Sequence, residues 1–427
     1  MTMKHFPSAP VVAVGILLAG SASAVELHGY LRNALGGNSQ GGSQVCFGVP
    51  GMDYKFRLGN ECDTYGELEF RESIYRDTNG VEFKFYGMLA FYRPGNLSDA
   101  TSYENKLRLP NLWFETKNVP FLGSASAWIG TRYYRRHDVH SLDLFYWNPS
   151  GLGGGFEDIG VGFGKLGVAV FRTPDDNPLR VTWRPDLRVY GIPLNRDGTL
   201  EVGIDLGYVS DQAASEAPDR MKVSPWFTIE HVHARLLGGS NRLAFQYAMG
   251  SLAGMGGNDN NANVNPDATS GATQLRIVET FQFQPVAQFS GVLVFLFQSK
   301  NRVGEKPGAA TPIPGDSSTS FGVELRPAYH FNDYFKVQAD VGYASYKPKA
   351  VNSDARGLFK ATLAPTLVAG GSFWSRPELR LFATWASWNA ASQGAGIVGS
   401  CAPGASVSPF ACDASGLSFG AQVEAWW

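Results

Sequence analysis

LSFGAQVEAWW, residues 417–427, closes the chain in a two-residue rhythm. Phe419, Ala421, Val423, Ala425 and Trp427 fall on one side, and Ser418, Gly420, Gln422 and Glu424 on the other. Successive side chains of a strand point to opposite faces, so the segment reads as a strand with an oily face and a wet one. An aromatic residue at its end suits the interfacial girdle of a membrane-spanning barrel. Trp426 is the exception, a large indole on the wet face. In a transmembrane strand it looks into the lumen, where something flat and partly apolar would bind.

The same rhythm recurs. Leu200, Val202, Ile204, Leu206 and Tyr208 interleave with Glu201, Gly203, Asp205 and Gly207. Phe321, Val323, Leu325, Pro327 and Tyr329 interleave with Gly322, Glu324, Arg326 and Ala328, and Phe335 to Tyr343 repeats the pattern around Lys336, Gln338 and Asp340. A soluble sandwich alternates too, with its charged face in solvent. The N-terminal segment decides between them. Lys4 precedes the apolar run VVAVGILLA, and Ala22-Ser23-Ala24 follows as a cleavage signal. Residues 1–24 therefore read as a signal peptide and residues 25–427 as one barrel domain. The apolar run is too short to span a bilayer, which takes about 20 residues. No other stretch is apolar enough to cross as a helix, which leaves a closed barrel.

Composition agrees. Hydrophobic residues make up 44% of the chain, yet the mean hydropathy is −0.14, as expected where apolar residues are diluted by alternation. Fifty glycines and 13% aromatics suit tight turns and girdles. Residues 250–271 and 301–320 read as long loops, Arg196-Asp197-Gly198 and Asn332-Asp333 as short turns. The glycine-rich run at 151–155 lacks the Lys-Ser/Thr of a phosphate loop and reads as plain loop. A net charge of −2 excludes nucleic acid as a partner. The four cysteines form two close pairs, Cys46/Cys62 and Cys401/Cys412, which in an exported chain read as disulfides pinning loops.

Parity also locates lumen residues near the front. In VELHGYLRN, Leu27, Gly29 and Leu31 face lipid, so His28, Tyr30 and Arg32 face inward. In TYGELEFRE, Leu68 and Phe70 face lipid, so Tyr65, Glu67, Glu69 and Arg71 face inward. Rings at Tyr30, Tyr65 and Trp426 thus share the lumen with Arg32 and Glu67. A sugar has an apolar face that stacks on rings and hydroxyls that bond to charged groups. The competing reading makes the rings interfacial residues near strand ends.

Seven stretches extend the argument: VELHGYLRNALG, CFG with YKFRLGNECDTYGELEF, GTRYYRRHDVHSLDLFYW, GVGFGKLGVAVFR, GTLEVGIDLGY, FWSRPELRLFATWASW and FGAQVEAWW. Through them the chain resembles the maltoporins, sugar-specific porins of Gram-negative outer membranes, over nearly its whole mature length. The resemblance implies an all-β transmembrane antiparallel barrel of 18 strands, an inward-folded third loop and a homotrimer in outer-membrane lipid. It implies an aromatic slide of Tyr30, Tyr65, Trp374 and Trp426. It also implies a polar track of Arg32, Arg57, Glu67, Arg108, Arg136 and Asp143 at a constriction. The solute implied is a maltodextrin or related oligosaccharide, moving by facilitated diffusion with no cofactor and no metal. A general or differently selective porin, of the sucrose type for example, is the alternative.

The departures are specific. Ser240 stands where the family has a slide phenylalanine, and Phe145 where it has a constriction tyrosine. Tyr103 is a candidate for the aromatic that one subunit lends its neighbour. His137, Asp138, His140 and Asp143 suggest metal ligation or a catalytic dyad, but if this stretch is strand, alternation splits His137 from His140, and structural or pore-lining roles are favoured. With no G-x-S-x-G elbow either, the reading is a channel and not an enzyme.

Overall fold

A computed structural model describes residues 25–94, 106–174, 181–210, 220–254, 264–303, 317–350, 352–398 and 409–427. Eighteen antiparallel strands form one sheet that closes on itself. The seam joins the first strand, Glu26–Asn38, to the last, Ser415–Trp426, with Tyr30 opposite Trp426 and Arg32 opposite Glu424. Trp427 completes it, exchanging both backbone hydrogen bonds with Gly29. On the other side of the first strand lies the second, Asp63–Arg76, where Tyr30 faces Glu67 and Arg32 faces Tyr65. These pairings put the inward side chains named above into one row.

The alternation holds as read. Phe419, Leu381, Leu363, Val323 and Val202 are exposed on the outside, whereas Ser418, Gln422 and Glu424 are buried within. An apolar exterior with polar residues inside is what a lipid-facing barrel requires. Among the described residues no helix is long and apolar enough to cross a membrane; the strands do so.

The interior is more filled than a single inward loop would make it. The third loop, residues 133–150, folds in as expected and carries a small hairpin, His137–Val139 with Leu144–Trp147. The first loop, residues 39–62, folds in beside it. Backbone hydrogen bonds join them, from Lys55 N to Leu142 O (3.1 Å) and from Arg57 N to Ser141 O (3.0 Å). Phe47, Tyr54 and Phe56 of the first loop and Leu142, Tyr146 and Trp147 of the third form an apolar core against Val294, Ala344, Leu358 and Ala386 of the wall. The inward position at Gly342 is a socket, since a Cβ there would lie 2.7 Å from the Phe56 ring.

The two cysteine pairs stand differently. The Cys46–Cys62 bridge closes the first loop across a separation of 16 residues. Cys412 lies in the turn before the last strand. It is disulfide-bonded, and no described cysteine is free. Its expected partner Cys401 lies outside the described residues, so the geometry of a Cys401–Cys412 bridge does too.

One reading needs correction. The glycine-rich run at 151–155 opens a barrel strand, Gly151–Gly160. Glycine serves there because its neighbours crowd the backbone: a Cβ on Gly153 would lie 2.3 Å from the Val170 carbonyl oxygen. The two turns read as short are short, whereas another at the same end is longer. Arg196-Asp197 and Asp333-Tyr334 are tight, but residues 369–377 fold up into the barrel mouth. Phe373 joins the interior core, Lys336 Nζ donates to its carbonyl (3.1 Å) and Gln284 donates to Gly371 O (2.8 Å).

Candidate functional site

Among the described residues the filling leaves an opening against the first four strands. It is a cavity of about 460 Å³. Ten of the eleven residues expected at a slide and constriction line it: Tyr30, Tyr65, Trp426, Arg32, Arg57, Glu67, Arg108, Arg136, Asp143 and Phe145. They arrive by different pieces of local structure. Strand parity turns Tyr30, Arg32, Tyr65 and Glu67 inward, and Trp426 follows from the seam register. The first loop brings Arg57, and the third brings Arg136, Asp143 and Phe145. Asp143 sits at φ 56°, a conformation that a short polar side chain tolerates, and so reverses the chain after His140–Leu142.

The rings form a row. Tyr65 and Tyr30 have centroids 6.0 Å apart, and Tyr30 and Trp426 lie 6.4 Å apart with planes 16° from parallel. The charges form a second row beside it. Arg32 donates to both carboxylate oxygens of Asp63 (3.2 and 2.9 Å) and lies 3.5 Å from Asp143. Tyr65 donates to Glu67. Across the opening Arg136 is held between two rings, 3.3 Å from the Tyr133 centroid and 4.2 Å from that of Phe145. Such cation–π contacts are each worth about 0.5–2 kcal/mol, less where water reaches them.

Arg57 ties the rows together. It donates to Glu61, to the Tyr30 hydroxyl (2.7 Å) and to His140, whose ring nitrogens stand 3.0 and 3.2 Å away. Burial disfavours charge on Glu61, but Arg57, Lys55 and Arg32 outweigh it and hold the carboxyl well below the usual range. Burial, then the Arg57 guanidinium, hold His140 below the ordinary imidazole value, although Glu424 pulls the other way. His140 is therefore a neutral imidazole at pH 7.

Trp374 is the expected slide residue that does not reach the cavity. It sits on the inward-folded turn, and the His140 ring stands edge-on between it (5.4 Å) and Trp426 (5.6 Å). Its indole donates to Gln282 (2.7 Å). Ser240 pairs with Gln282 across the neighbouring strands, so at this end a polar pair stands where the family has a ring. Tyr103 lies outside the described residues. His137 and His140 separate, but not by alternation, because the strand ends at Val139 and His140 opens the 3-10 turn His140–Leu142. His137 lies 3.0 Å from Glu230, while His140 lies 3.1 Å from Glu424. Among the described residues no cluster of three or more candidate ligands could hold a metal ion.

Sequence reading gave no pore role to Asp63 or Tyr133, and for Asp138 and His140 it favoured a structural or pore-lining role over metal ligation; all four stand on the cavity wall. Tyr133, Asp138 and His140 lie inside the stretch that carried Arg136, but loop side chains have no parity to say which way they turn.

A lipid-facing barrel narrowed by its own loops defines a channel of the outer membrane, not an enzyme. The family model described as LamB porin matches residues 25–427, and the chain belongs to that family. Solved porins are more distantly similar. OpdQ of Pseudomonas aeruginosa is 8% identical over 95% of this chain and 99% of its own, with a TM-score of 0.48. OmpF of Salmonella typhi, in complex with daunomycin, is 9% identical over 94% and 97%, with a TM-score of 0.47. OprB of Pseudomonas putida is 11% identical over 94% and 94%, with a TM-score of 0.44. These last likenesses are loose.

Proposed function

We propose that this porin is sugar-selective and moves maltodextrins or related oligosaccharides by facilitated diffusion, as a homotrimer exported by a leader at residues 1–24. The observation that carries the reading is that ten of the eleven residues expected at a slide and constriction line one cavity, with charged groups beside a row of rings. A pyranose ring has two apolar faces and an equatorial rim of hydroxyls. The Tyr65–Tyr30–Trp426 row suits the faces, at about 1 kcal/mol per ring contact beyond burial. The Arg32, Asp143 and Arg136 groups suit the rim, where a hydrogen bond to a charged group is worth about 1.5–3 kcal/mol before water competes for it. Net binding is therefore weak at each step, as a channel needs if it is to release what it holds.

The test is single-channel current in a planar bilayer, titrated with maltotriose, sucrose and glucose. Sugar-dependent block strongest for maltotriose supports the reading. Block strongest for sucrose moves it to a sucrose-type porin. Steady current at all concentrations makes the protein a general porin.

A further inference from the structure

We infer that Glu424, which does not touch the cavity, is the positioning residue that sets the aromatic row and so governs sugar affinity. The inference rests on the sugar-channel reading. Glu424 is 2% exposed, and its carboxylate meets partners from five directions. Its Oε1 accepts from the Tyr30 hydroxyl (3.0 Å) and lies 3.1 Å from His140 Nε2 and 3.3 Å from Arg57 Nη2. Its Oε2 accepts from Arg376 Nε and Nη2 (3.0 and 2.8 Å) and from Arg380. These partners come from the first strand, the first loop, the third loop, the periplasmic turn and the strand next to the seam. No other described carboxylate joins all three inward-folded segments to the wall.

Most of these partners also bear on a ring of the row. Tyr30 is one of the rings, and Arg57 donates to its hydroxyl. Arg376 lies 4.3 Å over the Trp426 face. The His140 ring packs nearly perpendicular to those of Trp426 and Trp374. A stacking site works only while its rings stay coplanar with the passing solute, and a small displacement of a positioned group costs disproportionately. Arg57, Arg376 and Arg380 are like charges crowded together, and a carboxylate between them keeps them from separating. Removing one partner of such a buried set strands the others.

Glu424→Gln keeps the shape but turns one oxygen into a donor that faces donors. Either the Tyr30 side or the Arg376 side is then released. With maltotriose, we expect affinity to fall by about tenfold, mainly through faster release, as is usual when a contact is lost. Open-channel ion current stays near wild type, because Glu424 is not on the cavity wall. A double-mutant cycle separates positioning from general weakening. If Glu424 acts through the rings, the losses from Glu424→Gln and Trp426→Ala are strongly non-additive. Additive losses overturn the inference, as does unchanged maltotriose affinity in Glu424→Gln. Should Glu424→Gln fail to assemble, Tyr30→Phe keeps the ring and removes the hydroxyl that donates to Glu424 and accepts from Arg57. It is expected to speed maltotriose release, and no change there overturns the inference equally. A wild-type channel that no sugar blocks overturns the sugar reading itself, which is a different result from an intact wild-type block with an unaffected variant.

Discussion

The inner wall has two regions of similar polarity and opposite fate. On the first three strands the inward residues Tyr30, Tyr65, Glu67, Arg71 and Tyr86 stay partly open to the lumen. On the far wall Arg184, Arg188, Lys336, Asp340 and Lys360 are fully covered, beneath the first and third loops and the inward turn. Both regions carry inward charges along alternating strands. The open wall can exchange partners with a solute, while the covered wall commits its charges to fixed pairs, such as Arg184 with Asp205 (2.5 Å) and Lys360 with Asp340 (3.3 Å). Polarity decides which way a side chain points in a barrel; the loops decide whether it meets water.

The sharpest way to break this contrast is to unseat the first loop. Replacing Cys46 and Cys62 with serine removes the cross-link, and the chain-entropy value for a loop of this size is about 3 kcal/mol. The expected result is a lower melting temperature together with larger and noisier single-channel current as the covered wall becomes wet. Gly342→Leu attacks the same seat from the wall. Filling the Phe56 socket is expected to cost about 1–3 kcal/mol, again with increased conductance; wild-type conductance and wild-type stability together would show that the loop does not depend on that socket.

A smaller effect belongs to the open wall alone. Trp426→Ala is expected to weaken maltotriose block by about 1 kcal/mol, the worth of one ring contact, while ions still pass. Unchanged block would shift the reading to a general porin. Smaller still is Phe145→Tyr, which restores a hydroxyl beside Arg136. It is expected to tighten maltotriose binding by less than about 1.5 kcal/mol, since water already serves much of that role. Arg136→Ala, measured in parallel, should cost more than Phe145→Tyr gains.

The mildest probe is pH. His140 is held below its ordinary value of 6.5, so below that pH an unseated loop binds a proton that the seated loop does not. The seated state is unpenalised above about 6.5 and loses stability as pH falls beneath it. Glu61, depressed in the folded chain, adds its own loss below its ordinary 4.5. Melting temperature should therefore decline between pH 7 and 5, and His140→Gln should flatten that decline while leaving the Glu61 contribution at lower pH.

Much of this was legible beforehand. Period-two alternation gave the sidedness of Tyr30, Arg32, Tyr65, Glu67 and Trp426, because in a strand the direction of a side chain follows from its number. It also put Glu424 on the wet face of the last strand, but not the partners that converge on it from loops far away in sequence. Gly203, Gly322 and Gly342 read as small residues of a watery face; they are sites of close packing under Trp147, Tyr54 and Phe56, and nothing local in the sequence marks which ring will arrive. The run at 151–155 misled because glycine signals a turn as readily as a crowded strand.

The seam carries a different kind of consequence. The Tyr30–Glu424 hydrogen bond spans 394 residues of chain, and the final pairing at Gly29 and Trp427 lies at the two ends of the sheet. The entropy of closing so long a loop grows only with the logarithm of its length, so equilibrium stability is little affected. Kinetics are another matter, because contacts this distant form late. Until the last strand docks, the sheet has two bare edges with unpaired N–H and C=O groups, a template for any other strand. The nascent barrel is thus most prone to aggregate just before it closes, and the residues that end the exposure are the same eleven that close the chain.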